Sequence, residues 1–323
     1  MTTSKHFFAA TAILLSLAAT TTVRAAEKIT ITHDLWVGYA PIFVALDKGY
    51  FTDAGLEVEA RTTMTPAESL VPLMSGAVKI AVSTLDSVIA ANEKRPGGLK
   101  IIALIDSSNG ADALISKPSI TSIKMLAGKK ISVAIGQASH LLALKALESA
   151  GMSATDVKFV DMDPGVAGGA FLADELDACV TWEPWITKAK SKGSANVLYS
   201  TSDLPETIIN AVVVTAETAK KKPKYVADFL IGLGRGFDFA SAQPAETAKI
   251  TGLALEQSED EVLDMMSKVK LIDLSRSKEL MGTAAAPGSI YKTAESIAEF
   301  LKENDVISNA DTTGEIFDSV FLN

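Results

Sequence analysis

Cysteine is nearly absent from this 323-residue chain: Cys179 stands alone. A single thiol forms no internal disulfide, so a packed core has to hold the fold. A chain of this length can build one. Histidine is almost as scarce, and only His33 and His140 lie beyond the first 25 residues. A zinc site would have to be made of carboxylates. No G-x-S-x-G turn occurs, and Gly128-Lys129-Lys130 lacks the upstream glycines of a phosphate-binding loop. Positive charge is also short: 30 Lys and Arg stand against 39 Asp and Glu, a formal net charge of −9. Nucleic-acid binding needs a basic footprint and is excluded. Lys220-Lys221-Lys222 reads as a solvated turn before Pro223. These absences leave no catalytic set, no metal site and no cofactor, and point away from an enzyme.

Long apolar runs are missing too, except at the start. Lys5 is followed by the apolar stretch Phe7–Ala19, and Val23-Arg24-Ala25 has the form of a cleavage site. Residues 1–25 read as a secretory signal peptide, cleaved near Ala25, too short to span a bilayer. No later run of about 18 apolar residues exists, so no transmembrane span is expected. Loss of Lys5 and Arg24 takes the net charge from −9 to −11. The mature protein is expected to be exported and soluble.

What is present is an alternation of short strands and helices. Lys28–Thr32 alternates and reads as a strand. It leads into Asp34-Leu35-Trp36-Val37-Gly38-Tyr39-Ala40-Pro41 and then a helix whose apolar face carries Ile42, Leu46 and Tyr50. Pro41 suits a first helical turn and Gly49 a left-handed stop. Strands follow at 56–60, 79–82 and 99–105, with helices at 66–74 and 87–93, and 113–115 is expected to pair with 99–105. A second series runs through strands 131–135, 157–160, 178–181 and 196–199, with helices between. From Ile208 one more strand precedes a mainly helical remainder. Such βα alternation favours an α/β fold with helices on both sheet faces. The expected organisation is two lobes: 26–118 and 206–323 form the first, 119–205 the second. Two crossings between them would act as a hinge that closes on a ligand.

Open α/β sheets bind ligands beyond the carboxyl ends of their strands. The residues there are Asp34, Trp36 and Tyr39; Ser83, Thr84 and Asp86; Gln137, Ser139 and His140; Asp163; and Trp182 with Glu183. Each has a plainer reading. The rings pack cores, and Thr84, Asp86, Ser139 and Asp163 cap helices. If the lobes face each other, all of these loops line one cleft. That cleft offers carboxylates and no Lys or Arg, which suits a solute bearing an amino group. A taurine-like aminosulfonate would place its sulfonate at the Gln137–His140 helix start, helped by a protonated His140, and its ammonium at Asp163 or Glu183. A heterocyclic amine would stack on Trp.

Several stretches carry a resemblance. They are Gly38-Tyr39-Ala40-Pro41, Phe43-Val44-Ala45, Asp47-Lys48-Gly49-Tyr50-Phe51, Gly55-Leu56-Glu57-Val58 and Leu73-Met74-Ser75-Gly76. Later come Leu126–Ile131, Ser139-His140-Leu141-Leu142, Asp177-Ala178 and Trp182-Glu183-Pro184-Trp185. In this order they resemble the nitrate/sulfonate/taurine (SsuA/TauA, NMT1-like) family of periplasmic substrate-binding proteins of ABC transporters. The resemblance implies a type II two-lobe fold, a monomer, and delivery of a small solute to a membrane permease and its ATPase. Relatives that bind or make a thiamine pyrimidine are the alternative. The enzymes among them carry a cysteine-rich motif, and this chain has only Cys179 in Asp177-Ala178-Cys179-Val180.

Overall fold

A computed structural model describes residues 26–310 and 315–322. The expected signal segment, 1–25, lies outside the described residues. The chain begins with β1 (Glu27–His33), a one-turn helix at Val37–Tyr39, α1 (Ala40–Asp47), α2 (Tyr50–Asp53) and β2 (Leu56–Thr62). Pro41 sits in the first turn of α1. Gly49 takes φ +70 between α1 and α2. The helix expected to reach Tyr50 therefore breaks there, and Tyr50 opens the next turn. Next come α3 (Pro66–Met74), β3 (Ile80–Thr84), α4 (Leu85–Glu93) and β4 (Leu99–Ser108). Thr65 caps α3 by accepting the Glu68 N–H.

The second series is β5 (Asp112–Ser116), β6 (Lys130–Val133), α5 (Ala138–Ser149), β7 (Lys158–Asp161), α6 (Pro164–Leu172), β8 (Ala178–Trp182), α7 (Trp185–Ser191) and β9 (Asn196–Ser200). The return leg is β10 (Ile209–Thr215), α8 (Ala216–Lys221), α9 (Pro223–Ala242), α10 (Pro244–Leu255), α11 (Glu259–Met266), β11 (Val269–Leu271), α12 (Leu274–Met281) and α13 (Ile290–Glu303).

Two sheets result. One has the order β11-β4-β10-β3-β1-β2, the other β7-β6-β8-β5-β9. β1 runs parallel to β2 and β3, while β10 runs antiparallel to β3 and β4. In the second sheet β5 is antiparallel to both neighbours. The residues 113–115 do not pair with β4, as the sequence suggested. Both edges of β4 are taken, one by β10 and the other by β11. The first crossing therefore lies at 109–111, earlier than the expected 118, and the second lies at 201–208.

Each sheet is buried on both faces. Ile31, Ile80, Val82, Ile102, Leu104 and Val213 are fully enclosed in the first lobe. In the second, Leu142 and Leu147 of α5 cover one face and Phe171 and Ile186 of α6 and α7 the other. Continuous apolar strands such as IAVST are what a doubly covered sheet requires.

The crossings run side by side. Thr201 ties them: its N–H donates to Asp112 O at 3.0 Å, and its hydroxyl accepts from Gly110 N–H at 2.7 Å. Beside them Lys268 bonds Glu183 and Asp264, each at 2.6 Å. At the other side of the lobe contact, His140 packs edge-on against Phe300 of α13. No helix among the described residues is long and apolar enough to cross a membrane.

Candidate functional site

The lobes enclose a cleft at the hinge. Asp34 and Trp36 enter it from the loop after β1, Thr84 from the end of β3, and Asp86 from the first turn of α4. The second lobe contributes Gln137 and Ser139 at the start of α5, Asp163 before α6 and Trp182 at the end of β8. These eight of the sequence-chosen residues come together as cleft wall. The wall also holds Asp112 and Asn210, and no Lys or Arg.

Four chosen residues, Tyr39, Ser83, His140 and Glu183, do not line the cleft. Tyr39 is fully buried behind it, its hydroxyl between Asp34 and Asn210. His140 is buried against Phe159 and Phe300, and its Nδ1 accepts the Gly136 N–H at 3.1 Å. Burial lowers its pKa, so the ring is neutral at pH 7 and supplies no positive charge. Glu183 is 1 % exposed and is held by Lys268 and by the N–H and hydroxyl of Thr187. Ser83 donates to Pro66 O. Trp185 is packing: a Cβ on Gly168 of α6 would meet its Cγ at 2.4 Å, so only glycine fits there.

Asp112 and Asn210 escape a reading based on the carboxyl ends of strands, and Asp106, near the carboxyl end of β4, is hidden inside an apolar strand. β5 and β10 run antiparallel to their neighbours, so their amino ends lie at the cleft. Asp112 stands opposite Trp182, and Asn210 opposite Thr84 and Asp106. The available signal was a lone carboxylate or amide inside an apolar strand, as in LKIIALIDSS and INAVVVT.

Behind the wall runs a chain of buried polar groups. Trp36 Nε1 donates to both oxygens of Asp106 at 3.1 and 3.2 Å. Asn210 Nδ2 donates to Asp106 Oδ1 at 3.0 Å, and Asn210 Oδ1 faces the Tyr39 hydroxyl at 2.9 Å. The same hydroxyl lies 2.9 Å from Asp34 Oδ1. A phenol has one proton and two acceptors here. If Tyr39 donates to Asn210, the remaining contact needs a proton on Asp34. If the amide is turned over, Tyr39 donates to Asp34 and the proton is needed on Asp106. Either way the full set of contacts needs a proton on one carboxyl of the pair. Burial pushes Asp34 up to about 6 against the hydrogen bond from Tyr39. Burial likewise pushes Asp106 up to about 7, against the bonds from Asn210 and Trp36. Gly38 makes room for the chain, since a Cβ would meet Asp106 Oδ2 at 2.3 Å and Trp36 Nε1 at 2.4 Å.

Two of the three helix starts around the cleft, those of α5 and α6, are met by carboxylates, while α4 starts at Thr84 with no side-chain cap. Asp86 reaches across the lobes to accept the Ala138 N–H of α5 at 3.0 Å. Asp163 caps α6 by accepting from Gly165 at 2.8 Å. Ser139 accepts the Ala134 N–H. At α5 and α6 the protein's own carboxylates take N–H groups of the kind that bind anions elsewhere. Cys179 is buried, and burial pushes its thiol far above the ordinary range, so it is no nucleophile. Among the described residues no group of His, Cys, Asp and Glu could hold a metal ion.

Two α/β lobes, two hinge crossings and a cleft at the hinge define a two-lobed periplasmic binding protein fold. The NMT1/THI5-like family matches residues 36–247, and the chain belongs to this family. A protein of Brucella abortus (strain 2308) described as a binding protein is 24% identical over 269 residues, 80% of this chain and 83% of that one. The taurine-binding periplasmic protein of Escherichia coli (strain K12) is 24% identical over 209 residues, 63% of this chain and 64% of that one. The alkanesulfonate-binding protein SsuA from Xanthomonas axonopodis pv. citri, bound to MOPS, superposes with a TM-score of 0.76 at 15% identity, covering 91% of this chain and 99% of that one.

Proposed function

We propose that this protein is the exported solute receptor of an ABC importer, processed after Ala25. It closes as a monomer on a small amine-bearing solute and delivers it to the permease and its ATPase. It performs no reaction on the solute. One observation carries the choice of ligand. The cleft wall holds Asp34, Asp86, Asp112 and Asp163 without a cation, and Asp86 and Asp163 occupy the starts of α5 and α6. A buried ammonium needs a carboxylate partner, and a simple anion finds no Lys or Arg in this wall. Two indoles, Trp36 and Trp182, in the same wall suit a flat heterocyclic amine, such as an aminopyrimidine, better than an aliphatic one.

The test is calorimetric titration of the mature protein with taurine, an unsubstituted alkanesulfonate, nitrate and an aminopyrimidine, with small-angle scattering on the complex. Binding of an amine together with compaction is the expected result. Tight binding of nitrate or of the plain sulfonate, with none of the amines, overturns the ligand class. An unchanged radius at saturation overturns closure.

A further inference from the structure

Most carboxylates of the cleft are engaged within the protein. Asp34 meets Tyr39, Asp86 holds the Ala138 N–H and Asp163 caps α6. Asp112 differs. It belongs to the cleft wall, is 6 % exposed, and its Oδ2 is buried with no hydrogen-bond partner. It heads β5 directly after the first crossing, and its backbone oxygen accepts the Thr201 N–H of the second. Both connections between the lobes meet at this residue, so closure shuts its carboxylate away from water. Lys268, beside the crossings, is already committed to Glu183 and Asp264.

Ionisation of this carboxyl is disfavoured while its oxygen is enclosed without a donor. A solute N–H delivered to that oxygen removes the penalty, and a positive charge on the same group neutralises the carboxylate. We propose that Asp112 determines specificity in this cleft: it takes an N–H of the solute's cationic group, an amidinium or primary ammonium, and so makes closure conditional on such a group. This rests on the amine-binding reading above. A quaternary ammonium brings the charge but no N–H, and leaves Oδ2 unpaired. Sites built to hydrogen-bond a ligand reject analogues that lack the donor.

The experiment compares three flat probes on the mature protein: benzamidinium, phenyltrimethylammonium and benzenesulfonate. Affinities are read by calorimetry and tryptophan fluorescence, for the wild type and for Asp112→Asn. The wild type should bind benzamidinium at least about tenfold more tightly than phenyltrimethylammonium. That ratio should fall towards one in Asp112→Asn, which keeps the shape and removes the charge. Circular dichroism checks that the variant folds; if it does not, the wild-type ratio decides. Equal affinity for the two cations, or a preference that survives in Asp112→Asn, overturns the role of Asp112 while the amine reading stands. Failure to bind benzamidinium overturns it as well. Benzenesulfonate binding more tightly than both cations overturns the amine reading together with it.

Discussion

Replacing Asp34 by Asn tests the proton held in the Asp34–Tyr39–Asn210–Asp106 chain. An amide at position 34 donates to the Tyr39 oxygen, Tyr39 donates to Asn210, and Asn210 donates to Asp106. Every contact is then made with Asp106 ionised, and no carboxylic proton is needed. The wild type has a different pH dependence. Burial raises Asp34 from 3.8 to about 6 in the folded protein. Between those values the folded state holds a proton that the unfolded chain has lost, so stability falls as pH rises through that window. At about 1.36 kcal/mol per pH unit, ionisation of Asp34 removes about 3 kcal/mol in all. Roughly 1.4 kcal/mol of this is lost between pH 5 and pH 8. Asp106 and Asp112, both raised to about 7, add losses of the same sign up to that pH. Urea unfolding of the mature protein at pH 5 and pH 8 measures the sum. The wild type should be less stable at pH 8 than at pH 5, and Asp34→Asn should narrow that difference by about 1.4 kcal/mol. The same difference in both proteins would refute the proton assignment. So would an Asp34→Asn protein that gains no stability at pH 8 relative to wild type.

Three further outcomes are expected. Gly38→Ala pushes a methyl into the Trp36–Asp106 contact and should lower stability by about 1–3 kcal/mol, with a shift in tryptophan emission; an unaltered protein would show that the contact yields freely. Lys268→Met strips the cation from buried Glu183 and should cost about 3 kcal/mol in denaturant unfolding, much of it recovered by adding Glu183→Gln. Asp86→Ser releases the Ala138 N–H of α5; the freed helix start should raise affinity for ethanesulfonate by roughly two- to fivefold, and scattering should show a more open protein.

Much of the architecture was legible because it rests on local rules. Proline in a first turn, glycine after a last turn and threonine ahead of Glu68 set the limits of α3, and the apolar run IAVST sits in a doubly covered sheet. Loops after parallel strands delivered Asp34, Trp36, Thr84, Asp86 and Asp163 to one cleft. Pairing partners are a different matter. Nothing in residues 113–115 says that β10, nearly a hundred positions later, takes the edge of β4 beside β3 and sends β5 to the other lobe.

The sequence by itself determined the class of fold, the rich supply of carboxylates and the poverty in thiols and imidazoles, because composition and short-range periodicity are properties of the chain alone. Only the tertiary structure decided which polar groups meet. Antiparallel strands bring their amino ends to the cleft, so Asp112 and Asn210 arrive from positions that parallel logic ignores. Side-chain direction decided the remainder. Tyr39 and His140 face the interior, Glu183 turns to Lys268, and Asp86 covers the helix start that an anion would have used. Hydrogen bonds inside a closed cleft depend on distances of about 3 Å between residues far apart in sequence, and those distances exist only once both sheets and the hinge have formed.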